Sequence, residues 1–429
     1  MQASFSLTKQ IMVAMVAAIV LGTLCQQLGL HWPEFQSWVQ VGLIDGLFWL
    51  VGKVFVASLK LLVVPLVLVS LICGAANLGG GAQMGRMGGK TIALYLITTA
   101  IAISLAMAAA FLIQPGVGAN LEATSEFAVK DSQPFMQVLA NIFPTNPISA
   151  MADGNMLQII VFALLLGVAL NHAGAAGARI KSNFEDWNEV VMTLVTMLMK
   201  LAPYGVFALL FNVFAEKGLD TIGELAAYFF TVVLVLVIQA FVIYPGLLWL
   251  LGHVSPRMFL NKMRSVQLFA FSTASSNATL PVTLRTVEKR LGVDNRIASF
   301  TTPLGATLNM DGTAIMQGVA TVFIAQAYGA DFGLTAALTV IVMATLATIG
   351  TAGVPGVGLI TLSMVLTQVN LNPEGIALII GVDRLLDMMR TAVNVTGDAA
   401  VSCIVAKSEG QLNMDTFNDP NAGAVEREA

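Results

Sequence analysis

Long apolar stretches separated by short polar segments recur along nearly the whole chain. A helix of about 20 apolar residues is long enough to cross the hydrocarbon core of a bilayer. The first part of the chain therefore predicts uninterrupted membrane-spanning helices at 8–28, 45–78, 91–114, 155–172, 188–215 and 224–252. The first of these is expected to be retained as a membrane helix, because Met1–Leu7 holds no lysine or arginine and no small-residue cleavage site is evident after it.

Two later apolar segments are interrupted by small polar residues that a lipid-exposed helix would not tolerate. Segment 258–291 is basic at both ends and has the tip STASSNATLP at 272–281, which predicts a re-entrant hairpin that returns to its starting side of the membrane. Segment 334–367 has the tip TIGTAGVPGVG at 348–358 and no positive charge in its flanks. It predicts a second hairpin that enters from the opposite side.

Each predicted hairpin precedes a long helix with a polar group of residues near its middle, Asn309–Thr313 in one and Asn394–Asp398 in the other. The two groups share the pattern Asn-x-x-Gly, and both are predicted to break their helices. A hairpin and a broken helix that occur twice with opposite entry sides indicate an inverted repeat, with solute and ions bound near the midplane. The predicted fold class is an all-α polytopic membrane protein with eight transmembrane helices and two re-entrant hairpins.

Composition and charge agree with this prediction. The chain is 57% hydrophobic and only 11% charged, unlike a soluble globular protein, in which about a quarter of the residues are charged. Basic residues concentrate in alternate connections, including Arg86 and the group Arg257, Lys262 and Arg264, which predicts cytoplasmic N- and C-termini. Residues 1–410 are predicted to form one membrane unit, followed by a polar C-terminal tail at 411–429. The segment from Ser408 to Ala429 is polar and acidic and is predicted to be disordered.

The sequence lacks the common metal-binding, nucleotide-binding and hydrolase motifs. The three cysteines, Cys25, Cys73 and Cys403, have no metal-ligand spacing, and there is no nucleotide-binding lysine motif and no G-x-S-x-G. We therefore expect a protein that is not an enzyme, with no organic cofactor and no nucleic-acid partner. A channel or an intramembrane hydrolase stays as an alternative of a different class, since polar midplane residues serve those proteins too.

The last apolar helix carries a polar stripe. At about 100° per residue, one face presents Asp383, Asp387, Arg390, Thr391, Asn394 and Asp398. Ionisable groups inside a bilayer cost at least a few kcal/mol each, so they usually face a cavity and mark a solute or ion pathway. The alternative is a structural salt-bridge network, because Asp387 and Arg390 are three residues apart and can pair with each other.

The side chains of the stripe suggest separate binding roles. A guanidinium matches a carboxylate bidentately, so Arg390 is predicted to hold an anionic side chain, while Asp387 suits an ammonium group. Together they predict an acidic amino acid as substrate. Ser275 and Ser276 at the first tip can donate to its α-carboxylate, although a loop that hydrogen-bonds to itself would show the same residues.

Hard cations prefer oxygen ligands, which the same part of the chain offers in quantity. The candidate cation ligands among the polar residues are Thr98, Thr99, Asn309, Asp311 and Asp398. These residues indicate ion coupling without distinguishing sodium from protons.

Four motifs occur in order: SSNATLP (275–281), PLGATLNMDGTA (303–314), TIGTAGVPGVG (348–358) and DMMRTAVNVTGDA (387–399). With them the chain resembles the dicarboxylate/amino acid:cation symporter family over about residues 5–410. The resemblance implies a homotrimer in the cell (inner) membrane that works as an elevator. Its implied fixed scaffold is 8–78 with 155–215, and its implied moving transport domain is 91–114 with 224–407.

The resemblance also implies site residues. Those implied to contact substrate are Ser275, Ser276, Thr313, Val354, Gly358, Asp387, Arg390, Thr391 and Asn394. Those implied to bind sodium are Thr98, Thr99, Gly305, Thr307, Asn309, Asp311, Thr348, Ile349, Thr351, Asn394 and Asp398. The resemblance favours a sodium-coupled glutamate or aspartate symporter, with a proton-coupled glutamate or C4-dicarboxylate symporter as the alternative. One departure is Ala274, where many prokaryotic members have arginine; Arg384 is an extra arginine on the stripe.

Overall fold

The computed structural model describes residues 7–76, 82–118, 143–217, 221–330, 332–348 and 356–423. Nearly all of this part of the chain is helical, and its β-structure is an isolated bridge between Val293 and Leu412. The first half contains α1 Leu7–His31, α2 Pro33–Val39, α3 Trp49–Ala76, α4 Ala82–Ile113, α5 Pro147–Ala152, α6 Met156–His172, α7 Gly174–Met199 and α8 Ala202–Lys217. A π-helical segment, Gln40–Phe48, joins α2 to α3 without a break.

The second half begins with a long apolar helix, α9, whose series of α- and π-helical turns is Thr221–Ile238, Gln239–Ile243, Tyr244–Leu247 and Leu248–Gly252. The helices after it are α10 Pro256–Thr273, α11 Ser276–Arg285, α12 Asn295–Leu308, α13 Asp311–Ala327, α14 Leu334–Ala347, α15 Val357–Gln368, α16 Ile376–Ser408 and α17 Met414–Asn418. A π-helical turn, Thr286–Arg290, extends α11. The 3-10 turn Pro373–Gly375 leads into α16.

Several described helices are long and apolar enough to cross a membrane. By length and composition they are Val13–His31, Pro33–Phe55, Arg86–Ile113 and Leu225–Gly252. The pair Gly174–Leu198 and Ala202–Ala215 adds a fifth if its 47° bend lies within one span. Large apolar side chains point outward from these helices, as at Val41 and Trp249, which are 70% and 65% exposed. Such an apolar exterior suits lipid rather than water.

Two predicted boundaries in the first half were wrong. The segment 29–44 was expected to be a connection, but α2 starts at Pro33 and continues into α3. Proline at the first position of a helix loses no hydrogen bond, so Pro33 starts α2 rather than interrupting it. The predicted helix 188–215 begins earlier, at Gly174, and is divided at Lys200 and Leu201 into α7 and α8.

The first predicted hairpin is present as α10 and α11, joined by a tight turn. Ala274 ends α10 in the left-handed region at φ 49°, and Ser275 begins α11 by accepting the Ala278 N–H at 3.2 Å. The second hairpin consists of α14 and α15. Most of its predicted tip, 349–355, lies outside the described residues.

Only one of the two predicted helix breaks occurs. Asn309 and Met310 separate α12 from α13, as expected, whereas α16 continues without interruption for 33 residues, through the whole Asn394–Asp398 group. The polar side chains of that group leave the helix intact because they bond to the neighbouring break. α16 therefore forms a continuous central helix, in contact with α8, α9, α10, α12 and α13.

The C-terminal segment was predicted to be disordered, but residues 411–423 are ordered in the structure. Phe417 is completely buried, and Lys262 of α10 donates to the Thr416 carbonyl at 2.7 Å. The Gly292 carbonyl accepts the Asn413 N–H at 2.8 Å. One buried aromatic residue and these backbone bonds hold an otherwise polar segment against the open ends of α10 and α11.

Candidate substrate and cation site

The charged part of the stripe forms a compact ion-pair cluster on α16. Arg390 is 1% exposed, and its Nη2 lies 3.0 Å from Asp383 Oδ1 and 3.0 Å from Asp387 Oδ1. The contact with Asp387 is a hydrogen bond, and the contact with Asp383 is an ion pair without hydrogen-bond alignment. Arg384 Nη1 lies 3.4 Å from Asp387 Oδ2. The pairing of Asp387 with Arg390 that the sequence left open is thus present, and Arg384 takes part in it.

The Arg390 guanidinium still has unused donors. Its Nε and Nη1 are buried and have no hydrogen-bond partner among the described residues. The start of α15 packs directly on it, since a Cβ added to Gly358 would lie 3.1 Å from Nη1. Asp387 Oδ2 also accepts the Gly356 N–H at 3.2 Å. A buried cation with two spare donors beside the second hairpin is suited to bind an anionic group.

The other half of the stripe bonds to the break between α12 and α13. The Asn309 side-chain amide donates to the Asn394 carbonyl at 3.2 Å and to Asp398 Oδ1 at 2.9 Å. Asn394 Oδ1 accepts the Gly312 N–H at 2.8 Å. A break leaves backbone groups without helical partners, and these side chains satisfy part of that need.

Asp398 lies directly against the backbone of α12. A Cβ added to Gly305 would be 2.5 Å from Asp398 Oδ1 and 2.5 Å from the Tyr95 hydroxyl, so only glycine fits there. The Asn309 carbonyl oxygen, Oδ1, is buried without a hydrogen-bond partner among the described residues. Asp398 and Asn309, joined by a hydrogen bond, therefore place side-chain oxygen atoms of the kind that hard cations prefer next to Gly305.

Asp311 forms a second buried carboxylate centre. Asp311 is completely buried and accepts hydrogen bonds from Thr99 Oγ1 at 2.6 Å, Tyr244 OH at 2.8 Å and Gln239 Nε2 at 3.0 Å. These donors come from α4 and α9, so the carboxylate joins three helices. Thr98 lies beside Thr99 and donates to the Tyr95 carbonyl at 3.0 Å.

The remaining predicted substrate residues are buried or bond within their own helix. Ser276 is buried but, within the described residues, makes no hydrogen bond to α16. Thr391 donates to the Asp387 carbonyl at 2.8 Å, and Thr313 is buried one residue after Gly312.

The hydroxyls of the implied second-hairpin cation site bond locally. Thr307 donates to the Leu304 carbonyl at 2.9 Å and Thr348 to the Thr345 carbonyl at 2.8 Å. Ile349, Thr351 and Val354 lie outside the described residues.

Four residues with a part in the site were not among the predicted ligands: Tyr95, Gln239, Tyr244 and Asp383. Gln239 and Tyr244 are polar positions in the apolar α9, which is the signal that would have found them. Asp383 was already visible on the stripe. Tyr95 is likewise a polar position in an apolar helix, but its link to the site is visible only in the structure, where it lies beside Gly305 and Asp398.

Comparison with known proteins decides the family. The family model described as the sodium:dicarboxylate symporter family matches residues 7–408. The chain belongs to this family. Its members are secondary transporters and not enzymes, and the apolar helices of the chain are those of a multi-pass membrane protein.

Curated relatives match this chain in sequence over most of their length. The chain is 31% identical to the proton/sodium-glutamate symport protein of Bacillus subtilis (strain 168), covering 95% of this chain and 94% of the relative. It is 34% identical to the proton/glutamate-aspartate symporter of Escherichia coli (strain K12), covering 99% and 96%. It is also 34% identical to the human neutral amino acid transporter A, covering 81% and 73%.

Proposed function

We propose that this protein is a symporter that couples uptake of an acidic amino acid, glutamate or aspartate, to sodium. The observation that carries the proposal is Arg390: a buried guanidinium with two unused donors, held between carboxylates and facing the second hairpin. The relatives include carriers named for acidic and for neutral amino acids, so family membership leaves the substrate class open. Arg390 favours the acidic class.

The substrate groups can be assigned to these residues. The Arg390 fork receives the side-chain carboxylate, and Asp387 receives the ammonium group. In the structure Asp387 is occupied by Arg390, Arg384 and the Gly356 N–H. A bound substrate would take the place of some of these contacts, with its ammonium group on Asp387 and its carboxylate on Arg390. Each buried charge would then still have an opposite charge beside it. Thr391, Asn394, Thr313, Ser275, Ser276, Val354 and Gly358 are proposed to hold the remaining groups.

Sodium is proposed to bind at three places. The first combines Asp398 with Asn309, Asn394 and Gly305, and is supported by the unpartnered Asn309 oxygen. The second combines Asp311 with Asn309, Thr98 and Thr99. In the structure the Asp311 carboxylate accepts hydrogen bonds from protein donors. The proposed ligands of the third, beneath the second hairpin, are Thr307, Thr348, Ile349 and Thr351.

The alternative is a proton-coupled symporter for glutamate or a C4-dicarboxylate. Two relatives carry "proton" in their names, and buried carboxylates such as Asp311 and Asp398 can bind a proton instead of a cation. The oxygen groups around Asp398 favour sodium, because a proton needs only one acceptor.

The proposed architecture has eight transmembrane helices, two re-entrant hairpins and cytoplasmic termini, in a homotrimer of the inner membrane. Residues 8–78 and 155–215 form the fixed scaffold, and 91–114 with 224–407 move as one body in an elevator cycle. Contacts within the proposed moving part support this division, since α4, α13 and α16 share the Asp311 and Asp398 centres.

Reconstituted transport tests both parts of the proposal. Proteoliposomes with independently imposed sodium and proton gradients are supplied with glutamate, aspartate, succinate and alanine, and both uptake and charge movement are recorded. We expect saturable uptake of the two acidic amino acids that requires an inward sodium gradient. Uptake that follows the proton gradient alone refutes sodium coupling, and preferred uptake of alanine refutes the role of Arg390.

A further inference from the structure

An open apolar groove runs between α9, α10 and α16, on a different face of α16 from the charged stripe. Its volume is about 450 Å³, within the range of ligand-binding pockets. Its apolar walls include Val237 and Phe241 of α9, Leu268 and Phe271 of α10, and Met389 of α16. Val237, Phe241 and Leu268 are 47%, 57% and 69% exposed, so the groove opens to the surroundings of the helices.

One charged residue, Arg264, lines this groove. The sequence placed Arg264 among the basic residues of a connection, but the structure puts it inside α10, roughly 12 Å along the helix from Pro256. Its side chain is exposed and makes no hydrogen bond or ion pair with any residue in the described part of the chain. The groove's other polar side chain, Gln267, donates its amide to Thr396 Oγ1 at 3.0 Å.

A neighbouring lysine on the same helix, unlike Arg264, is buried and hydrogen-bonded within the protein. Lys262, two residues before Arg264, is 1% exposed and donates to the Arg290 carbonyl at 2.6 Å and the Thr416 carbonyl at 2.7 Å. Arg264 receives no such partners from the described residues. An arginine that opens into an apolar groove alongside a membrane helix is costly unless an anion or the membrane interface satisfies it.

We propose that this groove binds an anionic phospholipid, with the lipid phosphate on Arg264 and an acyl chain along the apolar walls. A guanidinium binds a phosphate bidentately, and basic pockets between membrane helices on the cytoplasmic side are a recurrent type of site for anionic lipid head groups. The groove offers one cation followed by an apolar surface, which matches a ligand with one anionic end and a long apolar tail. An acidic amino acid, which carries three charges and little apolar surface, does not match it.

The position of the groove gives the bound lipid access to the central helix. Met389 and Ala392 line the groove and directly adjoin Arg390 and Thr391 in the sequence of α16. An acyl chain in the groove would therefore contact the same helical turns that carry the proposed substrate residues. The lipid site itself does not depend on which ion drives transport.

Native mass spectrometry of the purified full chain tests this site. The wild type, R264Q, R257Q and V237W are reconstituted in nanodiscs of equal phosphatidylglycerol and phosphatidylcholine, then extracted in mild detergent, and the retained lipids are counted. Arg257 is a matched control, an exposed arginine at the start of the same helix and outside the groove. V237W places an indole in the groove.

We expect the wild type and R257Q to retain phosphatidylglycerol at least fivefold over phosphatidylcholine. R264Q should lose this preference while still retaining some lipid of either type, and V237W should lose both lipids. Equal retention of the two lipids by the wild type overturns the proposal, as does an unchanged preference in R264Q. A changed glutamate KM in R264Q with unchanged lipid retention would assign Arg264 to an aqueous pathway instead, and so also overturns it.

Discussion

The side-chain amide of Asn309 lies 2.9 Å from the carboxylate of Asp398. Asn309 belongs to the break between α12 and α13, and Asp398 to the uninterrupted α16, so this hydrogen bond joins the polar centres of the two proposed repeats. The same amide also reaches the Asn394 carbonyl at 3.2 Å. One asparagine thus connects the break to both polar positions in the second half of the stripe.

Replacing Asn309 by alanine should weaken sodium binding more than it changes substrate selectivity. N309A removes two hydrogen bonds and leaves the Asp398 carboxylate without this donor, a loss of roughly 2 kcal/mol. We expect the sodium concentration for half-maximal glutamate uptake to rise at least tenfold. The control N171A removes one hydrogen bond, to the Ala75 carbonyl, far from this centre in the sequence. If N309A and N171A show the same sodium dependence, Asn309 has no part in cation binding.

Substitutions of the two arginines on α16 distinguish a residue that binds substrate, Arg390, from one that only lies nearby, Arg384. R390A removes the guanidinium between Asp383 and Asp387 and should reduce glutamate uptake below detection, with alanine uptake retained or gained. R384Q acts through a longer 3.4 Å contact with Asp387, so we expect its glutamate KM to rise by less than tenfold. Initial rates of radiolabelled uptake measure both. An unaltered glutamate KM in R390A would contradict the proposed role.

Asp383 is expected to position Arg390 rather than to bind substrate. D383N keeps the shape of the side chain but removes one of the two anions beside Nη2. We expect a glutamate KM about tenfold higher, equivalent to about 1.4 kcal/mol, with a nearly unchanged maximal rate. A loss confined to the maximal rate would instead place Asp383 in a conformational step.

A single methyl group should close the Asp398 centre. The added Cβ in G305A would lie 2.5 Å from both the Asp398 carboxylate and the Tyr95 hydroxyl, so one of them must move. We expect sodium-dependent uptake to be lost. The control G89A, in α4, meets no heavy atom within 4 Å and replaces glycine by a better helix former, so it should transport normally. Normal uptake by G305A would show that the centre is not used.

The ordered C-terminal segment should contribute to stability. Phe417 is completely buried, and full truncation of a buried phenylalanine typically costs about 3–5 kcal/mol. F417A should therefore lower the apparent unfolding temperature in detergent. F143A, which removes a side chain that is 67% exposed, should leave it unchanged. Equal unfolding temperatures for the two variants would mean that the segment is not docked in solution.

Acid should loosen the junction between α4 and the end of α16. The Glu409 carboxylate accepts from Lys90 Nζ and Arg86 Nη2, each at 2.5 Å, and these two bonds lower its pKa below the usual value. A lowered pKa in the folded protein means that this contribution to stability is present above about pH 4.3 and is lost as the pH falls through the folded-state pKa. E409Q should have a lower unfolding temperature than the wild type at pH 7. At pH 3.5 the difference in unfolding temperature between the two proteins should be smaller. A constant difference at both pH values would contradict this assignment.

The polar stripe, the all-helical fold and the break at Asn309 could be predicted from the sequence because periodicity and the cost of charge in a bilayer determine them. The continuity of α16 could not, since the Asn394–Asp398 group resembles the first break and its stability depends on bonds from Asn309 and Gly312. The order of the tail also depends on contacts with distant residues, which the sequence does not reveal. Its polar composition indicates disorder, and only the pocket that receives Phe417 overrides it.

The uninterrupted course of α16 makes it a rigid rod of roughly 50 Å, from its 33 residues at 1.5 Å each. In the proposed elevator cycle, a rod without a hinge would carry any translation of its substrate-bearing turns to its far end. A fluorescent label near Lys407 would therefore report the displacement of Arg390, more than four turns away, in real time and without touching the binding centre.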